Sequence, residues 1–405
     1  MISLSLLGGN CINHITKRPI ILCFADYYLP GYRSGGPVRS ISNFVDYFGD
    51  EYDIHIITRD RDFLDSDSYL GICIDRWNRV GKANVFYASN RFLSLWGIAG
   101  LLRNTTHDIL YLNSFFSYRF TALPLLARKL GLTPKIPCVL APRGELASGA
   151  LLIKAQKKTF YLALVKVMRL CNQLHWQASS EYEAADISRV MGISVSSIAV
   201  ASDLPAYSCN SIDISLVSKT VDDLPSPLRL ISLSRITPIK NLEFLLESLC
   251  LAHEHIELAI YGPLEDLVYW SRCQRLISVL PLNVSVEYFG EVIPSQVMET
   301  FSAFELFAFP TFGENYGHVV FECLISGTPV LISDQTPWNS SADGAVSILP
   351  LTDPLYWAAA IDRHARLSVD ERLELKSLAS NYARDYLKEC NVVQKTRHLF
   401  SSLLL

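Results

Sequence analysis

A strand–loop–helix–strand pattern between residues 306 and 333 constrains the fold more than any other feature of this sequence. The apolar run Leu306–Phe309 leads into a short polar loop over residues 310–317, and a helical stretch follows over 318–326. A second apolar run, 329–333, closes the unit. Two strands joined by a helix within so few residues predict a βαβ unit and hence a parallel sheet. Ligands of such sheets bind at the carboxyl ends of the strands, where the polar loop lies.

Two carboxylates stand on either side of the start of this predicted helix. Glu314 lies in the loop, and Glu322 lies about two turns into the helix at the flank of its apolar face. The backbone amides of Asn315, Tyr316 and Gly317 are at the helix N-terminus, which favours an anion. Carboxylates accept hydrogen bonds from hydroxyl groups. The pattern therefore fits a polyhydroxylated, anionic ligand, although two glutamates at this spacing can also be an ordinary loop residue and a solvated helix residue.

The whole string FPTFGENYGHVVFECLISGTPVLISDQTPW resembles the signature of glycosyltransferase family 4, the group 1 glycosyltransferases. The resemblance rests on two glutamates separated by seven residues, on Pro310-Thr311 before them, and on the runs 327–330 and 333–338 after them. It is strong over most of the second half of the chain and looser over the first half. It implies a GT-B fold, in which two doubly wound Rossmann-like α/β domains face each other across a cleft. It also implies a retaining transfer from a nucleotide sugar.

The length and the repeated alternation of strands and helices agree with two α/β domains. A chain of 405 residues, half of them apolar, is long enough for two cores. Periodicity fades and Asp, Ser and Pro accumulate before residue 227, which predicts a linker. We expect an acceptor-side domain over 1–205, a linker over 206–227, a nucleotide-sugar-binding domain over 228–380, and a C-terminal helix over 381–405 that packs back on the first domain. The apolar runs that predict strands in the first half are 19–25, 53–58, 85–87, 109–112, 137–141, 174–178 and 198–201.

Composition excludes several classes of protein. The net charge of −4 argues against a nucleic-acid binder. The ten cysteines are scattered singly, without the spacing of a zinc site or a disulfide framework, and are typical of a reduced, cytoplasmic protein. The N-terminal apolar piece is short and has no basic residue before it, so it does not predict a signal peptide. No run of uncharged apolar residues is long enough to predict a transmembrane helix.

The second half offers further candidates for a nucleotide-sugar site. Arg235 and Lys240 follow the predicted strand 228–233 and could neutralise a departing diphosphate, or could be ordinary surface residues. The resemblance implies that both hold the donor diphosphate and that Gly262, which follows another strand, lies beside the nucleotide. It also implies that backbone groups near Glu291 read the base.

The first half offers candidates for the acceptor side. Gly35 and Gly36 precede a helix and could cradle a phosphate, or could form an ordinary βα turn; the resemblance places this loop at the cleft. Asn113 follows a strand at a place where many family members carry a histidine near the acceptor. Arg143 lies in a turn that resembles the Pro-Arg-Gly turn of members that build bacterial surface polysaccharides. It could meet an acceptor phosphate, or could be a surface arginine.

The stretch 151–170 reads as a basic helix with interleaved apolar residues. Lys154, Lys157, Lys158 and Arg169 fall on one broad arc. Such a helix can lie on an anionic membrane surface, or can be partly buried with lysines that extend to solvent. We expect peripheral contact with the inner face of the cell membrane, where a lipid-linked saccharide would be the acceptor.

The resemblance implies separate roles for these residues. Arg235 and Lys240 stabilise the departing nucleoside diphosphate, Glu322 holds the ribose hydroxyls, and Glu314 with the amides of 315–317 positions the donor sugar. No metal or other cofactor is expected, because the cations do the work of a metal. Two alternatives remain open: a sugar-phosphate synthase with a soluble acceptor, and a non-catalytic partner subunit that binds a nucleotide sugar.

Overall fold

The computed structural model describes residues 18–152, 154–206 and 227–404. They form two open sheets, one of eight strands and one of six, each flanked by helices. The carboxyl ends of the strands of both sheets border one shared cleft. This is the predicted GT-B architecture of two Rossmann-like domains. The predicted linker lies almost entirely outside the described residues, and the domain limits given above stay a prediction.

The first sheet has the strand order β3-β4-β2-β1-β5-β6-β7-β8, and all of its pairs are parallel except β3 with β4. Every residue of the central strand β1 is buried, because helices cover both faces. The strands are β1 (Ile20–Ala25), β2 (Asp53–Arg59), β3 (Trp77–Val80), β4 (Ala83–Ala88), β5 (Ile109–Asn113), β6 (Cys138–Ala141), β7 (His175–Ala178) and β8 (Ile198–Val200). The helices are α1 (Gly36–Phe48), α2 (Leu95–Asn104), α3 (Leu123–Lys129), α4 (Ser148–Leu152), α5 (Ala155–Val167) and α6 (Glu181–Met191).

The second sheet is parallel throughout, with the order β11-β10-β9-β12-β13-β14. The predicted βαβ unit is confirmed, since Phe307 pairs with Val330 across two parallel strands that one helix joins. The strands are β9 (Leu228–Leu233), β10 (Ile256–Tyr261), β11 (Val284–Gly290), β12 (Leu306–Phe309), β13 (Val330–Ser333) and β14 (Val346–Leu349). The helices are α7 (Leu242–Leu249), α8 (Leu267–Ile277), α9 (Val297–Ser302), α10 (His318–Ile325), α11 (Pro354–Ala365), α12 (Val369–Cys390) and α13 (Val392–Ser401).

The segment 381–404 divides between the two domains. The end of α12 packs on the second domain, where Tyr386 lies 4.8 Å from Trp338 between ring centroids. Helix α13 packs on the first domain, where the fully buried ring of Phe400 lies 5.0 Å from Phe44 and 5.1 Å from Tyr111. The chain thus crosses back to the first domain at about Asn391, which is in the left-handed region at φ 45°.

The predicted helix over 151–170 is wrong in its extent. Lys154 adopts a left-handed conformation with φ 55°, so that α4 ends before it and α5 begins after it. On α5, Tyr161 packs its ring on Phe115 and Phe116, and Val165 is buried. In the part of the chain that the structure describes, no helix combines the length and the apolar character needed to cross a bilayer.

Candidate active site

The cleft between the two sheets has a volume of about 780 Å³ and is lined by loops from both domains. All predicted site residues except Glu322 line it. Its second-domain wall is made by the loops that follow β9, β10, β11, β12 and β13. The predicted residues that the cleft brings together are Gly35, Gly36, Asn113, Arg143, Arg235, Lys240, Gly262, Glu314, Asn315, Tyr316 and Gly317.

An ion pair between Lys240 and Glu314 stands in the second-domain wall. Lys240 ends a 3₁₀ turn after β9, and its Nζ donates to Oε2 of Glu314 over 2.6 Å. The ammonium also lies 5.0 Å from the ring centroid of Phe309, the last residue of β12. Burial alone would raise the pKa of Glu314, but the charge and hydrogen bond of Lys240, the Asn315 amide and the Arg235 charge together lower the pKa. Glu314 is therefore ionised, and the pair presents an ammonium and a carboxylate at the carboxyl edge of the sheet.

Arg235 adds a second cation to this wall. It lies in the same loop after β9, and its Nη1 donates to Oε2 of Glu265 over 2.6 Å. Its side chain is 35% exposed, so the guanidinium remains accessible from the cleft. A planar guanidinium and an ammonium at one sheet edge are suited to bind the oxygens of a diphosphate.

Gly262 and Gly317 allow two close backbone approaches that shape the wall. Gly262 has φ 132°, and a Cβ on it would lie 1.8 Å from the carbonyl oxygen of Ser234. Gly317 has φ 80°, and a Cβ there would lie 2.9 Å from Nε1 of Trp338. That Nε1 donates to the carbonyl oxygen of Tyr316 over 2.8 Å. The loop before α10 therefore packs closely against Trp338, which lies in the segment that follows β13.

Glu322 does not line the cleft. It is buried on α10, and its carboxylate forms an ion pair with the guanidinium of Arg39, which α1 of the first domain carries. Burial lowers the pKa of Arg39 to about 10. Sequence reasoning did not single out Arg39 as a site residue. The structure makes it the partner of Glu322 across the domain boundary.

Arg143 lies in the cleft wall, but its guanidinium is used within the first domain. It forms an ion pair with Asp203, and its Nη2 donates to Oδ1 of Asn113 over 2.8 Å and to the Tyr111 hydroxyl over 2.7 Å. Burial would raise the pKa of Asp203, but the charge of Arg143 and the contact with His318 lower it to about 2. A contact between Arg143 and an acceptor phosphate would have to compete with this buried pair.

Sequence reasoning missed the polar side chains that join the domains beside the cleft. Nε2 of His318, the first residue of α10, lies 3.0 Å from Oγ of Ser40 and 3.6 Å from Oδ2 of Asp203. Oδ1 of Asn315 accepts from Oγ of Ser179 over 2.9 Å. Ser179 and Asp203 could have been noticed because each follows a predicted strand, whereas Ser40 lies within α1. Their partners are far away in sequence.

A further pair of hydrogen bonds joins the two domains beside the cleft. The Tyr32 hydroxyl and Nε of Arg33, both from the first-domain loop before α1, donate to Oε2 of Glu291 over 3.3 and 3.2 Å. Glu291 follows β11, at the place where the resemblance implies recognition of the base. Side chains of both domains therefore meet there.

The fold and the cleft define a GT-B glycosyltransferase architecture. Residues 227–366 match the family model described as "Glycosyl transferases group 1". This part of the chain, which contains Arg235, Lys240 and Glu314, therefore matches the family that the sequence resemblance indicated.

Solved structures of the same fold cover nearly the whole chain. HepE from Anabaena, solved with UDP and glucose, has a TM-score of 0.70 at 15% identity, over 95% of this chain and 100% of that one. Sucrose-phosphate synthase from Thermosynechococcus elongatus has a TM-score of 0.70 at 14% identity, over 95% and 99%. WaaG, a glycosyltransferase of lipopolysaccharide biosynthesis, has a TM-score of 0.65 at 12% identity, over 94% and 99%. The comparison with curated proteins found no match.

Proposed function

We propose that the protein transfers a hexosyl group, with retention of configuration, from a nucleoside-diphosphate sugar to a saccharide or lipid-linked saccharide in surface polysaccharide synthesis. The observation that carries the proposal is the ion pair of Lys240 with Glu314, with Arg235 in the same wall of the cleft, inside the group 1 domain. Similar folds in HepE, solved with UDP and with UDP-glucose, and in WaaG support a nucleotide-sugar donor and a saccharide acceptor.

In this mechanism Arg235 and Lys240 bind the donor diphosphate and neutralise the charge that develops as it leaves. Glu314 positions the donor sugar. The bond between the anomeric carbon and the phosphate oxygen breaks, and the acceptor oxygen bonds to the same face of that carbon. The leaving phosphate takes the proton of the acceptor hydroxyl. No metal takes part, because the two side-chain cations supply the positive charge.

Glu322 holds the ribose hydroxyls in the same proposal. Its carboxylate is engaged with Arg39 in the structure, so nucleotide binding exchanges that contact for hydrogen bonds from the ribose. The exchange couples the donor site to the first domain, since Arg39 belongs to α1.

The protein acts at the cytoplasmic face of the cell membrane, and α5 supplies the contact. Phe160, Leu164 and Val167 are 73%, 45% and 81% exposed and recur on one side of the helix. Lys157 and Lys166 are exposed beside them, which suits an anionic lipid surface. Lys158 points inward instead, since its Nζ donates to the carbonyl oxygen of Ala150 and lies over the ring of Phe116. The apolar side chains, which we call the α5 stripe (Phe160, Leu164 and Val167), were not singled out from the sequence.

Thermal unfolding with UDP, GDP and ADP tests the donor site. A nucleotide at 100 times its dissociation constant adds about 2.7 kcal/mol to the free energy of unfolding. We expect a clear rise of the melting temperature with one nucleotide in the wild type and loss of that rise in Lys240→Ala. Lys388→Ala is the control, because Lys388 is exposed on α12 and pairs with Asp385 one turn away. No rise with any nucleotide would contradict the proposal.

A sugar-phosphate synthase with a soluble acceptor is the second candidate, supported by the fold shared with sucrose-phosphate synthase. It predicts no affinity for membranes and a phosphorylated acceptor. A non-catalytic binding subunit is the third. Release of free sugar from the nucleotide sugar in the absence of acceptor separates a catalyst from a binder.

A further inference from the structure

The first-domain wall of the cleft, where the acceptor would bind under the proposed function, carries three arginines among the described residues. Arg33 pairs with Asp65 over 2.5 Å and with Glu291 over 3.2 Å. Arg39 pairs with Glu322. The third, Arg143, pairs with Asp203, and so each of these cations already has a carboxylate partner.

Arg143 is the least able of the three to leave its partner. The side chains of Arg143 and Asp203 are 9% and 6% exposed. Removing one partner from a buried pair is strongly destabilising, because the other charge stays buried without compensation. A phosphate that captured Arg143 would take it from Asp203, so this guanidinium offers no inexpensive contact for a phosphate.

The same wall presents carboxylate and hydroxyl groups to the cleft. Glu145 accepts from the Ser114 hydroxyl over 2.9 Å through Oε1, while its Oε2 accepts from the amides of Phe115 and Phe116 over 2.5 and 2.9 Å. Oε1 therefore keeps a lone pair for another donor. Asp186 of α6 also lines the cleft, with one oxygen bound by Arg189 over 2.5 Å.

Hydroxyl groups extend this surface on the same side of the cleft. The side chains of Ser148 and Tyr182 are exposed at its edge. Carboxylates that accept hydrogen bonds and hydroxyls that donate and accept them match the hydroxyls of a sugar ring. The charge of Glu145 disfavours a phosphate beside it, whereas Arg189 compensates the charge of Asp186 and also donates to the Ser148 hydroxyl over 3.1 Å.

We propose that the sugar of the acceptor that enters the cleft is uncharged, and that Glu145 and Asp186 bind its hydroxyls. The inference rests on the proposed function and narrows its acceptor to a neutral saccharide, free or at the end of a lipid carrier. It reverses the interpretation of Arg143 as an acceptor-phosphate ligand, since that guanidinium supports Asn113 and Asp203 instead. It also speaks against a phosphorylated acceptor of the kind a sugar-phosphate synthase uses.

Competition between matched sugars tests the inference on the wild-type protein. The probes are glucose, fructose and mannose and the 6-phosphate of each, and ligand-observed NMR measures their binding to protein saturated with the nucleotide that raises the melting temperature. We expect a neutral sugar to bind at least about tenfold more tightly than its own 6-phosphate, because like charges facing each other disfavour a partner. Equal or tighter binding of the 6-phosphates would overturn the inference.

Two variants test whether Glu145 in the first-domain wall causes the preference for the neutral sugar. Glu145→Gln keeps the acceptor oxygen for the two backbone amides but removes the charge, so we expect the preference for the neutral sugar to shrink. Glu181→Gln is the matched control, since Glu181 is exposed on α6 and does not line the cleft. An unchanged preference in Glu145→Gln would contradict the role of Glu145.

The nucleotide experiment separates this inference from the proposed function. If no nucleotide binds, the donor site fails and the function with it. If a nucleotide binds and the 6-phosphates bind as tightly as the neutral sugars or more tightly, only the inference of a neutral acceptor is wrong.

Discussion

Glu314 and Glu322 belong to one sequence motif, yet their carboxylates meet partners from different domains. Glu314 pairs with Lys240 of its own domain, whereas Glu322 pairs with Arg39 of the first domain. The resemblance implies that both are functional, but it cannot indicate Arg39, which lies far away in the chain. The pairing follows only from the packing of α1 against α10.

Glu322→Ala should lower kcat/KM for transfer by at least about tenfold, since a hydrogen bond to a charged group is worth about 1.5–3 kcal/mol. Arg39→Met removes the ion pair but leaves the carboxylate for the ribose. We therefore expect Glu322→Ala to weaken nucleotide binding and Arg39→Met to weaken it much less. Calorimetric titration with the nucleotide and steady-state kinetics provide the two readouts. Undiminished transfer by Glu322→Ala would exclude the ribose role.

Gly262 should tolerate substitution poorly compared with most residues of the second-domain wall of the cleft. Alanine there would sit at a positive φ with its Cβ 1.8 Å from the Ser234 carbonyl oxygen, so the two strand ends would have to separate. Strain and overpacking each cost about 1–3 kcal/mol, and we expect Gly262→Ala to lower the free energy of unfolding and to abolish nucleotide binding. Urea unfolding and the thermal assay measure both effects.

Gly100→Ala is the opposite case and serves as the control. Gly100 lies within α2, and a Cβ there would meet no atom within 4 Å. Alanine should stabilise the helix by about 0.5–1 kcal/mol. If both alanine variants behaved alike, the close approach at Gly262 would not be the cause.

Among the secondary-structure elements, the buried strands can be predicted from the sequence, whereas the edge strands β3 and β14 cannot. The buried strands β1, β5 and β9 are visible as apolar runs, because both of their faces are covered. The edge strand β3, with the sequence WNRV, was missed because none of its residues is buried. The edge strand β14 was also missed, since β13 leads to it without an intervening helix and the alternation breaks down.

The division of one predicted helix into α4 and α5 has a functional consequence. The turn at Lys154 lets α5 pack Tyr161 and Val165 inward and leaves the α5 stripe exposed. We expect the protein to bind vesicles of anionic phospholipid and to lose binding in Phe160→Ser with Leu164→Ser, because burial of each large apolar side chain contributes about 1.5–3 kcal/mol. Co-sedimentation at low and high salt is the measurement.

Leu282→Ser is the matched control for this experiment, since Leu282 is fully exposed in the second domain, away from α5. It should bind vesicles like the wild type. An absence of vesicle binding, or binding indifferent to salt, would contradict the role of α5 and favour a soluble acceptor.

For the whole molecule, the relation between the domains depends on buried polar contacts that the sequence does not reveal. His318 contacts Ser40 and Asp203, and Asp203 also holds Arg143. The role of Asp203 could not be inferred from the sequence, because Arg143 is 60 residues away. Asp203 is therefore one of the carboxylates that connect the two domains, together with Glu322 and Glu291.

Asp203 should make the stability of the protein depend on pH in the acid range. Its pKa falls from 3.8 to about 2 in the fold, so the folded state keeps the carboxylate ionised where the unfolded chain takes up a proton. The contribution is complete above about pH 5 and is lost as the pH falls toward 2; the shift corresponds to about 2 kcal/mol. Asp203→Asn should thus lower the free energy of unfolding at neutral pH and flatten its decline between about pH 5 and 3.

Urea unfolding across this range measures the effect, and Asp385→Asn, an exposed carboxylate on α12, is the control that should keep the wild-type slope. If Asp203→Asn kept that slope too, Asp203 would not be the group that Arg143 holds ionised. Because the same carboxylate faces His318 on α10, its loss should also slow transfer more than it weakens nucleotide binding. Such a difference would show that Asp203 aligns the two domains, because the nucleotide contacts that we propose lie in the second domain.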